Sequence, residues 1–115
     1  MSVEVRSNKL YINMSGEIDH HRAGILREES DEVLNRTYIK EIIFDFSGIR
    51  FMDSSGIGLI MGRYKKIKPM NGEIFVCNLG LSMQRIFKLS GLYKITKHSF
   101  EIDHLVNEEA TYESK

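Results

Sequence analysis

Residues 42–60 read IIFDFSGIRFMDSSGIGLI, and they join an apolar run to the start of a helix. The run over 42–46 is short and lies between turn signals, which is typical of a buried central strand. Residues 47–50 are predicted to form a connecting loop, after which residues 51–52 return to the core. A helix is expected from about residue 54 to residue 68, before a proline that cannot continue it. This strand–helix unit indicates an α/β fold.

The segment before this unit reads as a hairpin followed by a helix. Apolar and polar residues alternate over 3–6 and 10–14, which predicts an N-terminal hairpin spanning 3–14. The pair Gly16-Glu17 is expected to break the second strand. Asp19 then offers an N-cap carboxylate for a helix that begins directly after it.

The segment after the unit continues the alternation of strands and helices. A strand is expected over 73–77 and a helix over 81–90, which Gly91 closes in the left-handed conformation. A last strand is expected over 93–96. Ser99 is expected to cap a fourth helix, whose buried residues are Ile102, Leu105 and Val106.

This element order predicts the fold class. Alternating strands and helices call for a mixed, mainly parallel sheet, here of four to five strands flanked by about four helices. With 115 residues and 42% hydrophobic composition, the chain is expected to form a single domain over 1–115, with a polar tail from about residue 108.

Composition limits the classes of function. The chain has 16 basic and 16 acidic residues, so no net charge draws it to nucleic acid or to anionic lipid. No secretion signal opens it and no apolar run reaches membrane-spanning length, which predicts a cytoplasmic protein. The single cysteine, Cys77, lies in a predicted strand and is interpreted as a buried, inert thiol.

A helical wheel of residues 54–68 separates small residues from apolar ones. The side expected to face the sheet holds Ile57, Ile60, Met61, Tyr64 and Ile67. A second strip holds Ser54, Ser55, Gly58, Gly62 and Lys65. Glycine inside a helix costs about 1 kcal/mol relative to alanine, so two glycines on one strip require a reason. Close approach of a partner and tight packing within the fold are both adequate reasons.

The turn Asp53-Ser54-Ser55 stands where this helix begins. All three residues are good N-caps, so capping alone is one interpretation. Only one of them is needed as a cap, however, and a spare hydroxyl at a helix N-terminus is well placed to carry a phosphate. A phosphate would add about −1.5 to −2 charges without unfolding the helix. The wheel makes Ser55 the more outward of the two hydroxyls.

Four segments resemble a known family. They are DFSGIRFMDSSGIG at 45–58, GEIDHH at 16–21, GRYK at 62–65 and FKLSGLYKI at 87–95. Together they are similar to the signatures of the bacterial anti-sigma-factor antagonists, the STAS domain family, and most of all to its sporulation members. The resemblance spans nearly the whole chain and implies the same fold as the pattern of elements.

The resemblance also implies a mechanism without catalysis by this chain. Ser54 corresponds to the serine that an anti-sigma factor, itself a serine kinase that uses ATP, phosphorylates. The unphosphorylated form binds that kinase with its nucleotide and frees the sigma factor for sporulation-specific transcription, and a metal-dependent serine phosphatase restores it. No cofactor or metal is expected on the chain itself, and a free monomer is expected. The expected partner-binding residues are Asp19, Asp53, Ser55, Gly56, Gly58, Leu59 and Gly62.

Other functions fit the residues less well. An antagonist in a general stress-response pathway would have the same features. A receiver-like phosphoaspartate at Asp45 lacks the converging carboxylates that Mg²⁺ requires. A hydrolase would place its serine in G-x-S-x-G, which neither serine satisfies. The adjacent His20 and His21 point apart and have no metal-ligand spacing around them.

Overall fold

The computed structural model describes residues 2–99, which form a five-stranded sheet in the order β1-β2-β3-β4-β5. The first two strands are antiparallel and every other neighbouring pair is parallel. The predicted mixed, mainly parallel sheet is therefore confirmed. The elements are β1 Ser2–Arg6, β2 Lys9–Ile18, α1 His20–Arg36, β3 Glu41–Met52, α2 Ser54–Ile67, β4 Glu73–Cys77, α3 Leu81–Ser90 and β5 Lys97–His98.

In residues 2–99 the hydrophobic core lies on one face of the sheet, under α1, α2 and α3. Strand residues alternate between the two faces, and one alternate set is buried in the core: Leu10, Ile12, Met14, Ile42, Phe44, Phe46, Ile74 and Val76. Right-handed crossovers between parallel strands in sequence order place the connecting helices on the same face, which accounts for this single core. Phe87 of α3 closes one end of the core by an edge-on contact with Phe46, their ring centroids 5.4 Å apart.

Two predicted breaks are in fact continuous strand. The segment 47–50 is not a loop, because β3 runs to Met52, and the pair Gly16-Glu17 does not end β2, which runs to Ile18. The pairing accommodates these residues by two register shifts, after Asn13 and after Gly16. Gly16 has a φ of 69°, a left-handed conformation that glycine adopts at no steric cost.

The C-terminal part of the described chain differs more from prediction. Leu92–Lys94 forms a short 3₁₀ turn, and the last strand is the two-residue β5 rather than 93–96. The left-handed cap at Gly91 is confirmed, with a φ of 81°. The predicted fourth helix and the polar tail lie outside the described residues.

The two central strands end side by side, and this positions the site. Ile18 at the end of β2 pairs with Met52 at the end of β3, and the backbone N–H of Asp53 donates to the carbonyl oxygen of Ile18 at 3.2 Å. The next residue after each strand is an aspartate, Asp19 or Asp53, and each begins a helix. The segments that follow β2 and β3 therefore lie side by side at the carboxyl ends of the strands, where binding sites in such folds are found.

Candidate docking surface

Asp53 is the residue that caps α2. Its Oδ1 accepts a hydrogen bond from the backbone N–H of Ser55 at 2.7 Å, and its carbonyl oxygen accepts one from Gly56 at 3.1 Å. A side-chain oxygen in this position satisfies a backbone donor that the first turn leaves without a helical partner. Because the aspartate caps the helix, neither serine hydroxyl is required for that purpose.

The two serines differ in exposure. Ser54 is exposed and Ser55 is half-buried, which reverses the order that the helical wheel predicts. Neither hydroxyl forms a hydrogen bond in the described part of the chain. Ser54 therefore presents a free hydroxyl in the first turn of α2, where the positive end of the helix dipole favours a negative group.

The exposed side of α2 is nearly bare. A Cβ built on Gly58 or on Gly62 would meet no atom within 4 Å, so packing against the described fold is not the reason for either glycine. Met61, predicted to face the sheet, is 40% exposed and lies between them on the surface. We use the term Ser54 patch for the resulting surface, which consists of Ser54, Gly58, Met61, Gly62 and Lys65.

Two of the predicted partner-binding residues lie inside the domain. A Cβ on Gly56 would overlap Cγ of Met52 and lie 3.3 Å from Cγ2 of Ile18, so this glycine allows α2 to pack on the strand ends. Leu59 is 3% exposed and belongs to the core. The expectation that Leu59 offers apolar contact on the surface is wrong.

Arg63 is a buried charge on α2. It is 2% exposed, and its Nη1 donates to Oγ of Ser30 at 2.7 Å and to Oδ1 of Asp31. Nζ of Lys66 lies 3.1 Å from the same carboxylate oxygen. A signal was available, since Arg63 stands three residues after Ile60 and four before Ile67, both of which are buried.

Asp19 is the N-cap of α1, as predicted. Its Oδ1 accepts the backbone N–H of Arg22 at 2.9 Å. This hydrogen bond lowers the pKa of the Asp19 carboxyl below its ordinary value, and the nearby His21 and Arg22 side chains act in the same direction. The site edge thus carries an exposed carboxylate beside the Ser54 patch.

The side chain of Asp45 is held by hydrogen bonds within the domain. Its Oδ1 accepts the backbone N–H of Ser47 and the side-chain amide of Asn78, each at 2.9 Å. Over residues 2–99, no three histidine, cysteine, aspartate or glutamate residues are grouped so as to hold a metal ion. The Cys77 side chain is buried, as predicted.

Comparison with known proteins agrees with this geometry. The STAS domain model matches residues 1–108. An anti-sigma F factor antagonist of Paenibacillus polymyxa is 38% identical over 95 residues, which cover 83% of this chain and 81% of that protein. An anti-sigma-B factor antagonist of Bacillus subtilis (strain 168) is 28% identical over 95 residues, covering 83% of this chain and 85% of that protein.

Two solved structures are similar over nearly their whole length. The anti-sigma factor antagonist SpoIIAA in its unphosphorylated form superposes with a TM-score of 0.80 at 25% identity, covering 95% of this chain and 96% of that one. The Bacillus cell fate determinant SpoIIAA in the phosphorylated form gives 0.71 at 29% identity, with coverages of 99% and 98%.

Within residues 2–99, no helix has the length and apolar character needed to cross a membrane. The family match extends over most of the chain, and the identity to the Paenibacillus polymyxa protein holds over four-fifths of that protein's length. The chain therefore belongs to the STAS domain family and, within it, to the anti-sigma factor antagonists, which are regulatory binding proteins and not enzymes.

Proposed function

We propose that this chain releases a sigma factor by binding its anti-sigma factor through the Ser54 patch. Relatives at this level of identity are named antagonists of anti-sigma factors. The patch gives a partner close access to the backbone of α2, because Gly58 and Gly62 carry no side chain and no described element covers them. Asp19, Asp53 and Ser55 flank the patch, whereas Gly56 and Leu59 act only by holding α2 in place.

Phosphorylation of Ser54 is proposed to switch this binding off. The observation that carries the proposal is the cap at Asp53, which leaves the Ser54 hydroxyl exposed and without a hydrogen bond in the described structure. A phosphate there would add about two negative charges and considerable bulk at the point of closest approach. The helix would tolerate the phosphate, because its N-terminus favours an anion. Phosphorylation would therefore weaken binding of the anti-sigma factor and leave the helix folded.

The kinase is proposed to be the anti-sigma factor itself, with ATP or ADP bound to that partner and not to this chain. A serine phosphatase would regenerate the binding form. The chain is proposed to act in the cytoplasm, to be monomeric when free and to contact neither DNA nor membrane directly. Because identity is higher to the anti-sigma F antagonist than to the anti-sigma-B antagonist, 38% against 28%, sporulation is the favoured pathway and general stress response the second candidate.

The deciding experiment is incubation of the chain with a purified anti-sigma F factor and ATP, followed by intact-mass measurement and a binding assay with ADP. The unaltered chain and Ser55→Ala are expected to gain one phosphoryl group and then to lose affinity. Ser54→Ala is expected to stay unmodified and to keep binding, and Ser54→Asp to bind weakly. Stoichiometric phosphorylation of Ser54→Ala would show that the site is wrong.

A parallel incubation with an anti-sigma-B factor separates the two pathways. We expect binding and phosphorylation with the anti-sigma F factor only. The reverse preference would assign the chain to a stress-response pathway and leave the role of Ser54 unchanged.

A further inference from the structure

Two arginines from different elements meet at the edge of the sheet beside the Ser54 patch. A Cβ built on Gly16 would lie 3.1 Å from Nη1 of Arg22 and 3.9 Å from Nη2 of Arg50, so both guanidinium groups are within 4 Å of one point. Arg22 belongs to the first turn of α1. Arg50 is the extra residue of a bulge in β3, because Gly16 pairs with Ile49 and the next residue pairs with Phe51. Bulges of this kind re-aim a side chain at the edge of a sheet.

Among residues 2–99, neither guanidinium group belongs to an ion pair. In the described structure, no carboxylate forms an ion pair with Arg22 or Arg50, although Glu17 and Asp19 are close in sequence. The one side-chain hydrogen bond of Arg22 runs from Nη1 to the carbonyl oxygen of Ser15 at 3.1 Å, which fixes its direction and leaves its other donors free. Both side chains are exposed. Two like charges thus face one point in solvent, and the Asp19 carboxylate acts on Arg22 as a nearby opposite charge without forming an ion pair with it.

We propose that Arg22 and Arg50 together receive a carboxylate side chain of the anti-sigma factor when it docks on the Ser54 patch. Paired guanidinium groups are the donors that suit a carboxylate, because their planar N–H groups match its two oxygens. The pair lies on the same edge as Ser54, since Arg50 precedes that serine by four residues and Arg22 lies three residues after Asp19. This assignment rests on the proposed function and adds to it the charge of the partner surface.

An acidic contact on the partner also gives the phosphate a second effect. A carboxylate drawn to the arginine pair would approach the edge where phosphorylated Ser54 stands, and the two negative groups would repel each other. The phosphate would further weaken the positive field that steers the partner in. The same arginines would therefore speed association before phosphorylation and lose that effect after it.

The test is the rate of association with a purified anti-sigma F factor in ADP, at low and at physiological ionic strength. The double variant Arg22→Gln/Arg50→Gln is expected to associate about tenfold more slowly at low ionic strength and to lose most of its salt dependence. The control variant Arg6→Gln/Arg36→Gln loses the same two positive charges at the opposite end of the strands. It is expected to associate at the rate of the unaltered chain. Arg22→Lys/Arg50→Lys is expected to associate fast but to dissociate sooner, because lysine lacks the planar fork.

The outcomes separate this inference from the proposed function. If the unaltered chain fails to bind the anti-sigma factor, both are overturned. If it binds and the Gln double variant shows the same rate and salt dependence, only the arginine assignment is overturned. A slower rate with an unchanged melting temperature supports the arginine assignment. Slowing that only follows a loss of folded protein would indicate a structural role for the arginines instead. Salt-dependent binding of a DNA duplex that the double variant abolishes would indicate a nucleic-acid role instead.

Discussion

Arg63 on α2 and Ser30 on α1 are joined across the helix pair, with Nη1 of the arginine donating to Oγ of the serine at 2.7 Å. Asp31 accepts from the same nitrogen, and Nη1 also lies 3.4 Å from the carbonyl oxygen of Arg27. Arg63 lies on the buried face of α2 together with Leu59, Ile60 and Ile67. Ser54, Gly58 and Gly62 lie on the other side of the same helix.

Removing this cation is expected to destabilise the domain. Arg63→Met removes the hydrogen bonds that Ser30 Oγ and Asp31 Oδ1 accept, while Ser30 Oγ still donates to the carbonyl oxygen of Arg27, and the loss should cost about 1–3 kcal/mol of the free energy of unfolding. Lys66→Met is the control, because that side chain is 46% exposed and an exposed ion pair contributes about 0–1 kcal/mol. Urea unfolding of the three proteins measures the difference. Equal midpoints for Arg63→Met and the unaltered chain would contradict the prediction.

The same cluster predicts how stability depends on pH. Burial raises the pKa of the Asp31 carboxyl, but the hydrogen bonds from Arg63 and Lys66 outweigh it, so the pKa lies below its ordinary value of 3.8. A carboxyl whose pKa is lower in the folded state contributes stability above about pH 4, and that contribution is lost as the pH falls through the folded-state pKa. When the pH falls below about 4, the free energy of unfolding should therefore decrease less for Asp31→Asn than for the unaltered chain.

Urea unfolding at a series of pH values from neutral to acidic measures this effect. Some dependence will remain in Asp31→Asn, because the pKa of Asp19 is lowered too and acts with the same sign. Parallel curves for the two proteins in the acidic range would show that Asp31 is not responsible.

Substitution of Gly58 or Gly62 by alanine should raise the stability of the domain and weaken its binding to the partner. Gly58→Ala and Gly62→Ala add a Cβ where no atom lies within 4 Å, so each should raise the free energy of unfolding by about 0.5–1 kcal/mol. The same Cβ should weaken binding of the anti-sigma factor, because it holds the partner away from the helix backbone. Gly24→Ala in α1, whose Cβ would have only an ordinary 3.7 Å contact with Arg27, is the control. Unfolding curves and a titration with the partner are the measurements, and unchanged affinity would remove the glycines from the interface.

Gly56 should behave in the opposite way. A Cβ there would overlap Met52, which is 3% exposed and has little room to move, so Gly56→Ala should destabilise the domain by about 1–3 kcal/mol. Comparison with Gly58→Ala by thermal unfolding uses the same substitution two residues along the same helix. If both variants are as stable as the unaltered chain, Met52 yields without cost and the packing account of Gly56 is wrong.

The N-cap at Asp53 should affect the stability of the domain, and it should affect phosphorylation because it stands directly before Ser54. Asp53→Ala removes the acceptor for Ser55 and should cost about 0.5–2 kcal/mol, whereas Asp53→Asn keeps an acceptor and should cost less. Phosphorylation of Ser54 should persist in Asp53→Asn, because the first turn of α2 stays formed. Denaturant unfolding and intact mass give the two readouts; a larger loss in Asp53→Asn than in Asp53→Ala would refute the capping account.

Most of the local structure was predictable from the chain alone. Both caps, Asp19 and Asp53, the left-handed Gly91 and the order of strands and helices in residues 2–77 agree with prediction. The errors concern extent, since β2 and β3 run through Gly16 and through residues 47–50. Glycine and serine in those segments signal a turn, yet the pairing between the two strands continues past them through a pair of register shifts, with Gly16 in the left-handed conformation.

The face that α2 buries was not predictable in the same way. A wheel gathers apolar side chains, so it placed Met61 on the buried side and left Arg63 out of it, whereas the centre of the buried side holds Gly56 and Arg63. A glycine contributes nothing to such a count, and an arginine counts against burial.

The sequence by itself determined where helices begin and end, because a cap depends only on a side chain and the backbone within a few residues of it. Only the tertiary structure decided that Ser54 is the exposed hydroxyl and that Arg22 and Arg50 meet. The partners that settle the orientation of Arg63 lie 32 and 33 residues away in the chain, and no local pattern encodes a contact at that separation.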